Sequence, residues 1–317
     1  MLVLDQKDVE SLLTEADCVP IMEETLKQER SGGCTQYLRT ALDLPNTNVL
    51  GLMPAYFERG YFGAKVISVY HTNAGTGYPS HQGQILLFGR EHGEVLAAVD
   101  AMSVTRLRTG AVSAAASRAL ARKDSRVLAI LGCGAQGWSH LAAHAACFPL
   151  EEVRCWDMAP AAAQALAGEA ERRGCRGRAC GTAEEAAAGA DIICTVTPSR
   201  EPVLCSGWVK DGAHVNAVGA CAPAARELDS ALAARGRFFC DHRESILRES
   251  GDFLIPMGEG LFGEEHLLGA LGDVLLGRAP GRTGPEEVTI FDAVGMAVED
   301  IACAIWLYER HVNGRNG

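Results

Sequence analysis

The sequence predicts an α/β chain in which a doubly wound parallel sheet stands beside an α+β domain. Three observations carry this. An apolar run at 127–131, VLAIL, feeds straight into a glycine-rich turn, GCGAQG at 132–137, which opens a helical stretch. From about 120 to 285, helical and extended patterns alternate in the doubly wound manner. The first 120 residues instead set short apolar strands behind two helices, and another helical pattern closes the chain.

Taken in order, the chain reads as helices over about 7–16 and 17–30, then strands around 35–43, 47–53, 62–70, 82–88 and 95–100. A helix follows from 103 to about 122. The strand at 127–131 and the helix after the glycines lead to a strand at 153–156, which ends in Asp157. Next come an alanine-rich helix over 160–173 and a short helix over 183–188. The runs DIICTV (191–196) and HVNAV (214–218) read as buried strands, and FFCD (238–241) as the last strand of this sheet. A further strand at 288–291 precedes the C-terminal helix, 296 to about 310. In it Val298, Ile301, Ala302 and Ile305 recur at helical spacing, and the helix is expected to pack on the N-terminal domain. The division is therefore 1–119 with 286–317, and 120–285.

The turn at 132–137 has the parts of a dinucleotide site, and it makes the second domain Rossmann-type. Gly132 allows the sharp turn, Gly134 lets a pyrophosphate approach the backbone, and Gly137 lets the helix pack on the strand. Free N–H groups and the dipole at the helix start favour phosphate. Asp157, twenty residues beyond Gly137, stands where a carboxylate accepts ribose hydroxyls and repels a 2′-phosphate. Arg154 is the nearest cation in sequence, and MAPA follows the acid. NAD(H) is favoured, with NADP(H) as the alternative. Thr195, Thr197 and Gly219, at strand ends, are expected near the cofactor.

Composition sets the other limits. The 317 residues suffice for two cores, and 48% hydrophobic with 22% charged residues is ordinary for a globular chain. A formal charge of −11 with no basic stripe argues against nucleic acid. No apolar stretch approaches a membrane span, and the opening MLVLDQKDVE carries charge early. The expectation is a cytoplasmic protein with no membrane or nucleic-acid partner. The twelve cysteines are scattered, with no CxxC, and read as buried apolar residues. His140 and His144 lie four apart, but no neighbouring cysteine or carboxylate completes a ligand set. They are read as ordinary helix residues, and no metal is expected.

Three cations sit in otherwise apolar surroundings. Lys65, in YFGAKVISVY at 61–70, is either a buried lysine suited to proton transfer or one that snorkels at a strand edge. Arg106 and Arg108 project to nearly opposite faces of one helix, so at most one points at a site, where its fork suits a carboxylate. Arg39 is a third candidate, or a solvated strand residue.

The segments LMPAY (52–56), AKV (64–66), PSHQ (79–82), RTGAVS (108–113), GCGAQ (132–136), WVKDGAHVNAVG (208–219), RELD (226–229), ESGD (249–252) and GMAVED (295–300) together resemble the ornithine cyclodeaminase/mu-crystallin family, the mu-crystallin branch most closely. The resemblance covers essentially the whole chain. It implies a homodimer built on the α+β domain, which also binds substrate, and a site between that domain and the Rossmann domain. Lys65 matches the family's catalytic lysine, Arg108 its substrate-carboxylate arginine and Arg39 a second substrate arginine. His81, in a segment shared with that branch, is a further substrate contact. Cofactor contacts are expected at Thr109, Gly132, Gly134, Ala135, Gln136, Gly137, Asp157, Thr195, Val196, Thr197, Val218, Gly219, Gly295 and Met296.

Departures from the family narrow the activity. Its cyclodeaminases carry a Glu just before Leu-Met-Pro and an Asp shortly after Asn-Ala-Val-Gly, where this chain has Gly51 and Cys221. Ring closure with loss of ammonia needs a carboxylate acid/base, and a neutral thiol is a poor stand-in. The mu-crystallin branch uses NADPH and lacks the acid found here at 157. The expected activity is NAD(P)H-dependent reduction of a small cyclic ketimine such as Δ1-pyrroline-2-carboxylate or Δ1-piperideine-2-carboxylate. The alternatives are an alanine-type dehydrogenase, an ornithine cyclodeaminase, or a ligand-binding protein without turnover, since mu-crystallins also bind thyroid hormone and serve in the lens.

Overall fold

The computed structural model describes residues 1–73 and 75–314. The chain opens with β1 (Leu2–Leu4), α1 (Gln6–Leu12) and α2 (Glu15–Ser31). Capping boxes at Asp5 with Asp8 and at Thr14 with Asp17 start the two helices. That is why the break falls at 13–14 and not at 16–17. There follow β2 (Cys34–Gln36), β3 (Thr40–Asp43), β4 (Val49–Phe57), β5 (Tyr61–Val69), β6 (His81–Gly89), β7 (Val95–Asp100) and α3 (Ala101–Leu120). Next are β8 (Val127–Leu131), α4 (Ala135–Cys147), β9 (Glu152–Trp156), α5 (Pro160–Arg172), β10 (Arg176–Ala179), α6 (Ala183–Ala187), β11 (Ile192–Thr195) and β12 (His214–Ala217). The remainder is α7 (Ser230–Arg235), β13 (Arg237–Cys240), α8 (Arg243–Glu249), α9 (Gly251–Gly258), β14 (Leu267–Ala270), α10 (Leu271–Leu275), β15 (Thr289–Asp292) and α11 (Ala297–Gly314).

Two units result: Met1–Arg108 with Gly295–Gly317, and Thr109–Val294. Their junctions fall inside α3 and just before α11, whereas the sequence reading placed them at 119/120 and 285/286. In the first unit β1-β7-β6-β5-β4-β2 form a sheet to which β3 adds on β4, and all its pairings except β1 with β7 are antiparallel. The expected single strand 35–43 is broken. Residues 37–39 leave the sheet, so β2 and β3 each pair separately with β4, and Arg39 lies in the gap. Helices α2 and α11 pack with each other, and α11 packs on β4, β5 and β6. Residues facing it, such as Met53, Ala55, Ile85 and Leu87, are buried. Their neighbours on the opposite face, including Pro54, Phe62, Val66, Leu86 and Phe88, are apolar and only half-buried.

The second unit holds eight parallel strands in the order β10-β9-β8-β11-β12-β15-β13-β14. From β8 the sheet grows one way through β9 and β10 and the other way through β11 and β12. This is the dinucleotide-binding strand order, with its switch point between β8 and β11. Two expectations need correction. FFCD at 238–241 is not the last strand, and the strand expected at 288–291 belongs to this sheet, wedged between β12 and β13. Alternation along the chain marks a strand without its slot. The slot is decided by which edge the returning chain can reach.

Also within this unit, His140 and His144 are fully buried where α4 crosses α3. Ser113 meets the His140 ring at 2.9 Å, and Ser117 meets His144 at 2.9 Å. Burial drives their pKa values down to about 3 and about 4, so both are neutral packing residues with satisfied ring nitrogens. Among the described residues no group of three or more potential ligands could hold a metal ion. Most of the twelve cysteines are buried.

Candidate active site

In the first unit Lys65 sits on the α11 side of β5, 3% exposed. Its strand neighbours in register are Met53 and Ile85, and the next positions on the same face are Gly51, Ile67 and Gly83. None of these carries a charge. The ammonium finds its counter-ion on α11, where Asp300 Oδ2 lies 2.6 Å from Nζ. Thr105 Oγ1 accepts a longer hydrogen bond at 3.4 Å. Burial pulls the lysine down to about 8, opposed by the Asp300 charge and reinforced by that of Arg108. The sequence alternative of a snorkelling lysine does not hold.

Arg108 belongs to the same cluster and is 5% exposed. Its Nε donates to Asp300 Oδ1 at 3.0 Å and its Nη1 to Glu299 Oε2 at 2.8 Å. Arg106, on the other side of α3, pairs at the surface with Glu10 and Glu15. Burial alone would raise Asp300, but Arg108 and Lys65 together hold its carboxyl below the usual range. Gly295 has φ +85, and a Cβ there would come within 2.9 Å of Arg108 Nη2, so the guanidinium packs flat on bare backbone. The Gly295 carbonyl in turn accepts Arg39 Nη2 at 3.2 Å, leaving Arg39 half-buried. Gly295, expected among the cofactor contacts, thus lies in this unit against two arginines, and Met296 beside it is fully buried. Three cations (Lys65, Arg108, Arg39) face two carboxylates (Glu299, Asp300), a formal excess of one positive charge suited to a monoanion. His81 is exposed at the start of β6, with Nδ1 2.9 Å from Ser80 Oγ.

Sequence reasoning missed Glu299 and Asp300, although both stand in the GMAVED segment. Both are fully buried in the first turn of α11, where the helix dipole favours negative charge. The available signal was two adjacent acids directly before the apolar run Ile301–Leu307 of a helix.

The glycine turn of the second unit has the geometry a dinucleotide needs. Gly132 has φ +104, and a Cβ there would lie 2.7 Å from the Val196 carbonyl. At Gly134 a Cβ would meet nothing within 4 Å, so the space above that peptide is open. At Gly137 it would strike the Gly132 carbonyl at 2.3 Å. No side chain caps α4, whose N-terminal residues Ala135 and Gln136 follow Gly134 directly. The Gln136 Oε1 atom is buried without a hydrogen-bond partner. Asp157 Oδ2 accepts the Cys133 N–H at 2.7 Å and Oδ1 the Ala159 N–H at 2.8 Å. This uses two of roughly four acceptor positions on the carboxylate. Arg154 is occupied elsewhere, by Glu152 at 2.9 Å and by the Ala188 carbonyl. Thr109 is 7% exposed and Thr195 fully buried, whereas Val196, Thr197 and Gly219 are partly open at the ends of β11 and β12, and Val218 is 8% exposed. The open space at Gly134, the uncapped start of α4 and the remaining acceptor positions on Asp157 fit a bound dinucleotide, whereas Thr195, fully buried, offers it no surface.

The two positions that carry acids in cyclodeaminases are also described. At Gly51 a Cβ would approach Ile67 Cγ2 to 3.1 Å, a close contact with one side chain. Cys221 is exposed, with its Sγ 3.6 Å from the Val218 carbonyl.

Comparison with known proteins gives the same family over the whole length. A sequence model of the ornithine cyclodeaminase/mu-crystallin family matches residues 1–315. The ketimine reductase mu-crystallin of Mus musculus is 39% identical over 286 residues, 90% of this chain and 88% of that protein. The structure of Thermococcus litoralis Δ1-pyrroline-2-carboxylate reductase in complex with NADH and L-proline superposes with a TM-score of 0.95 at 34% identity, covering 99% of this chain and 98% of that one. An archaeal alanine dehydrogenase dimer with bound NAD superposes with a TM-score of 0.94 at 33% identity, covering 99% and 97%.

Proposed function

The chain belongs to the ornithine cyclodeaminase/mu-crystallin family, and from that premise we propose that it reduces a small cyclic ketimine carboxylate, such as Δ1-pyrroline-2-carboxylate or Δ1-piperideine-2-carboxylate, to the L-amino acid with NADH. The observation that carries this reading is the buried Lys65–Asp300–Arg108 cluster, a proton donor on an otherwise uncharged strand face joined through Asp300 to a carboxylate receptor on α3. Mouse ketimine reductase mu-crystallin and the Thermococcus reductase, alike in sequence and fold, support it.

Arg108, with Arg39 behind it, binds the substrate carboxylate through the local excess of positive charge. Glu299 and Asp300 hold the Arg108 plane rigid, so little ordering remains to be done on binding. When bound, the nicotinamide supplies the hydrogen and electron pair that the imine carbon gains. Lys65 Nζ gives its proton to the imine nitrogen and recovers one from solvent after product leaves. The uncharged face formed by Gly51, Met53, Ile67 and Ile85 suits an apolar ring and offers no carboxylate for ring closure with loss of ammonia. The same reading includes a homodimer joined through the half-buried apolar face of the first sheet, around Phe62, Val66 and Phe88.

The test is a substrate screen that follows NADH absorbance with cyclic ketimines, with pyruvate plus ammonia, and with ornithine. Turnover fastest on a cyclic ketimine supports the reading. Proline from ornithine at a comparable rate, faster turnover of pyruvate with ammonia, or tight ligand binding without turnover would each replace it.

Two results are expected of the unmodified enzyme and one variant. Lys65, brought down to about 8, is protonated below that pH and neutral above it. The kcat for imine reduction is therefore flat at lower pH and falls as pH rises through about 8, while amine oxidation rises through the same range. A reduction rate that climbs above pH 8 contradicts a protonated Lys65 as the acid. Asp157 governs the cofactor: NADH should give the higher kcat/KM, and Asp157→Ser should narrow its lead over NADPH. A preference of the unmodified protein for NADPH by about tenfold, ~1.4 kcal/mol, is incompatible with this role.

A further inference from the structure

The RELD and ESGD segments have no part in the chemistry above, yet they meet in a cluster of buried acids in the second unit. Glu227, Asp241, Asp252 and Asp292 are all 1% exposed or less. Glu227 Oε1 accepts both the backbone N–H and the hydroxyl of Thr197, each at 2.6 Å, and its Oε2 accepts the Gly219 N–H at 2.7 Å. Thr197 follows β11 and Gly219 follows β12, so one carboxyl ties together the exits of two neighbouring central strands. The packing is close: a Cβ at Gly219 would lie 2.2 Å from the Thr197 carbonyl and 2.5 Å from Glu227 Oε2. The same stretch presses on the glycine turn, where a Cβ at Gly132 would meet Thr197 Cγ2 at 3.0 Å.

Asp252 holds Glu227 in place. Its Oδ1 accepts the N–H groups of Glu227 at 2.8 Å and Leu228 at 2.7 Å, while its buried Oδ2 has no hydrogen-bond partner. Beneath it Asp292 is bonded by the Ser250 hydroxyl. Arg226, the cation acting on Asp252, is itself directed at Ser230 and Glu259. So many acids in a dry site cannot all be ionised. Burial and then the Glu227 charge push Asp252 up to about 7, and burial, then the Asp252 charge, raises Asp292 well above the usual range. Burial raises Glu227 too, opposed by the donors from Thr197 and Gly219 on its oxygens.

We propose that Glu227 is a positioning residue for the cofactor, a buried carboxylate that sets the Thr197 and Gly219 backbone against the glycine turn so that the strand exits are shaped before the dinucleotide arrives. Burying an acid is costly, and a buried carboxyl is tolerated where its oxygens are hydrogen-bonded. A strut at strand ends, where open α/β sheets bind their ligands, makes use of both facts. The inference rests on the dinucleotide reading of this unit and adds a residue that does not itself touch the dinucleotide.

Glu227→Gln keeps the shape but sets an amide NH2 against one of the two strand exits, at the Thr197 or the Gly219 N–H. Binding of NADH to the folded protein, followed by cofactor fluorescence without substrate, is expected to weaken about tenfold or more. The KM for the imino acid should stay within about twofold. Asp229→Asn, in the same RELD segment, is the comparison, since its amide oxygen can still cap α7 at the Leu232 N–H; its NADH Kd should match the unmodified protein. Should Glu227→Gln not fold, Glu227→Asp retains the carboxyl group but cannot span both strand exits, and a severalfold weaker Kd is expected. An unchanged NADH Kd in the Glu227 variant, or an equal loss in Asp229→Asn, overturns the positioning role. Failure of the unmodified protein to bind NADH at all overturns instead the dinucleotide reading on which it rests.

Discussion

Replacing Lys65 with alanine is expected to lower kcat for imine reduction by a factor of about 100 or more, equivalent to about 2.7 kcal/mol of lost transition-state stabilisation. The reason lies in the surroundings of the ammonium. The lysine is 3% exposed, so water cannot freely take its place, and its neighbours on the strand face are apolar or glycine. Its pKa of about 8 leaves it protonated near neutrality yet acidic enough to give that proton up. NADH should still bind the variant with near-normal Kd, because the glycine turn and Asp157 belong to another unit. The loss should appear in kcat more than in the imino-acid KM, which separates a proton donor from a residue that only holds substrate. Steady-state kinetics with a parallel NADH titration decide the matter. Near-normal turnover would make Lys65 a structural counter-ion to Asp300.

Arg108→Ala should cut kcat/KM for the imino acid by about a hundredfold to a thousandfold, mostly through KM. Two losses add. The substrate carboxylate loses its receptor, and Glu299 and Asp300, both fully buried, lose the cation bridging them. Removing one partner of a buried ion pair costs about 3–5 kcal/mol, so the melting temperature should fall as well. Arg108→Lys should not restore activity, because a single ammonium cannot reproduce the fork that meets Asp300 at Nε and Glu299 at Nη1. Full rescue by lysine would mean that charge alone matters here and that the planar fork does not.

The two halves of the candidate machinery were unequally legible. The glycine turn could be read in detail because its requirements are local. A positive φ at Gly132, open space at Gly134 and a close helix-to-strand approach at Gly137 each select glycine within six consecutive residues. Asp157 could be read for the same reason, since one strand and one helix separate it from that turn. The cations could not be ranked this way. Lys65 had two readings until Asp300 was found beside it, and Arg106 and Arg108 looked alike on their helix until one proved buried and the other paired at the surface. Glu299 and Asp300 went unnoticed as partners because they lie 191 and 192 residues from Arg108.

By itself, then, the sequence determined the alternation that makes a doubly wound sheet, the phosphate-facing turn and the acid beyond it. Each follows from the backbone geometry or chemistry that a short stretch of chain must supply. The absence of the cyclodeaminase carboxylates, at Gly51 and Cys221, rested on the family resemblance. The tertiary structure decided that β15 wedges between β12 and β13, and that Lys65, Arg108, Glu299 and Asp300 form one buried network. It also decided that Glu227 braces two strand exits. These depend on burial and on charge pairing between segments far apart in the chain. A buried charge is tolerated only where the fold delivers its partner, and no pattern along the chain records that meeting.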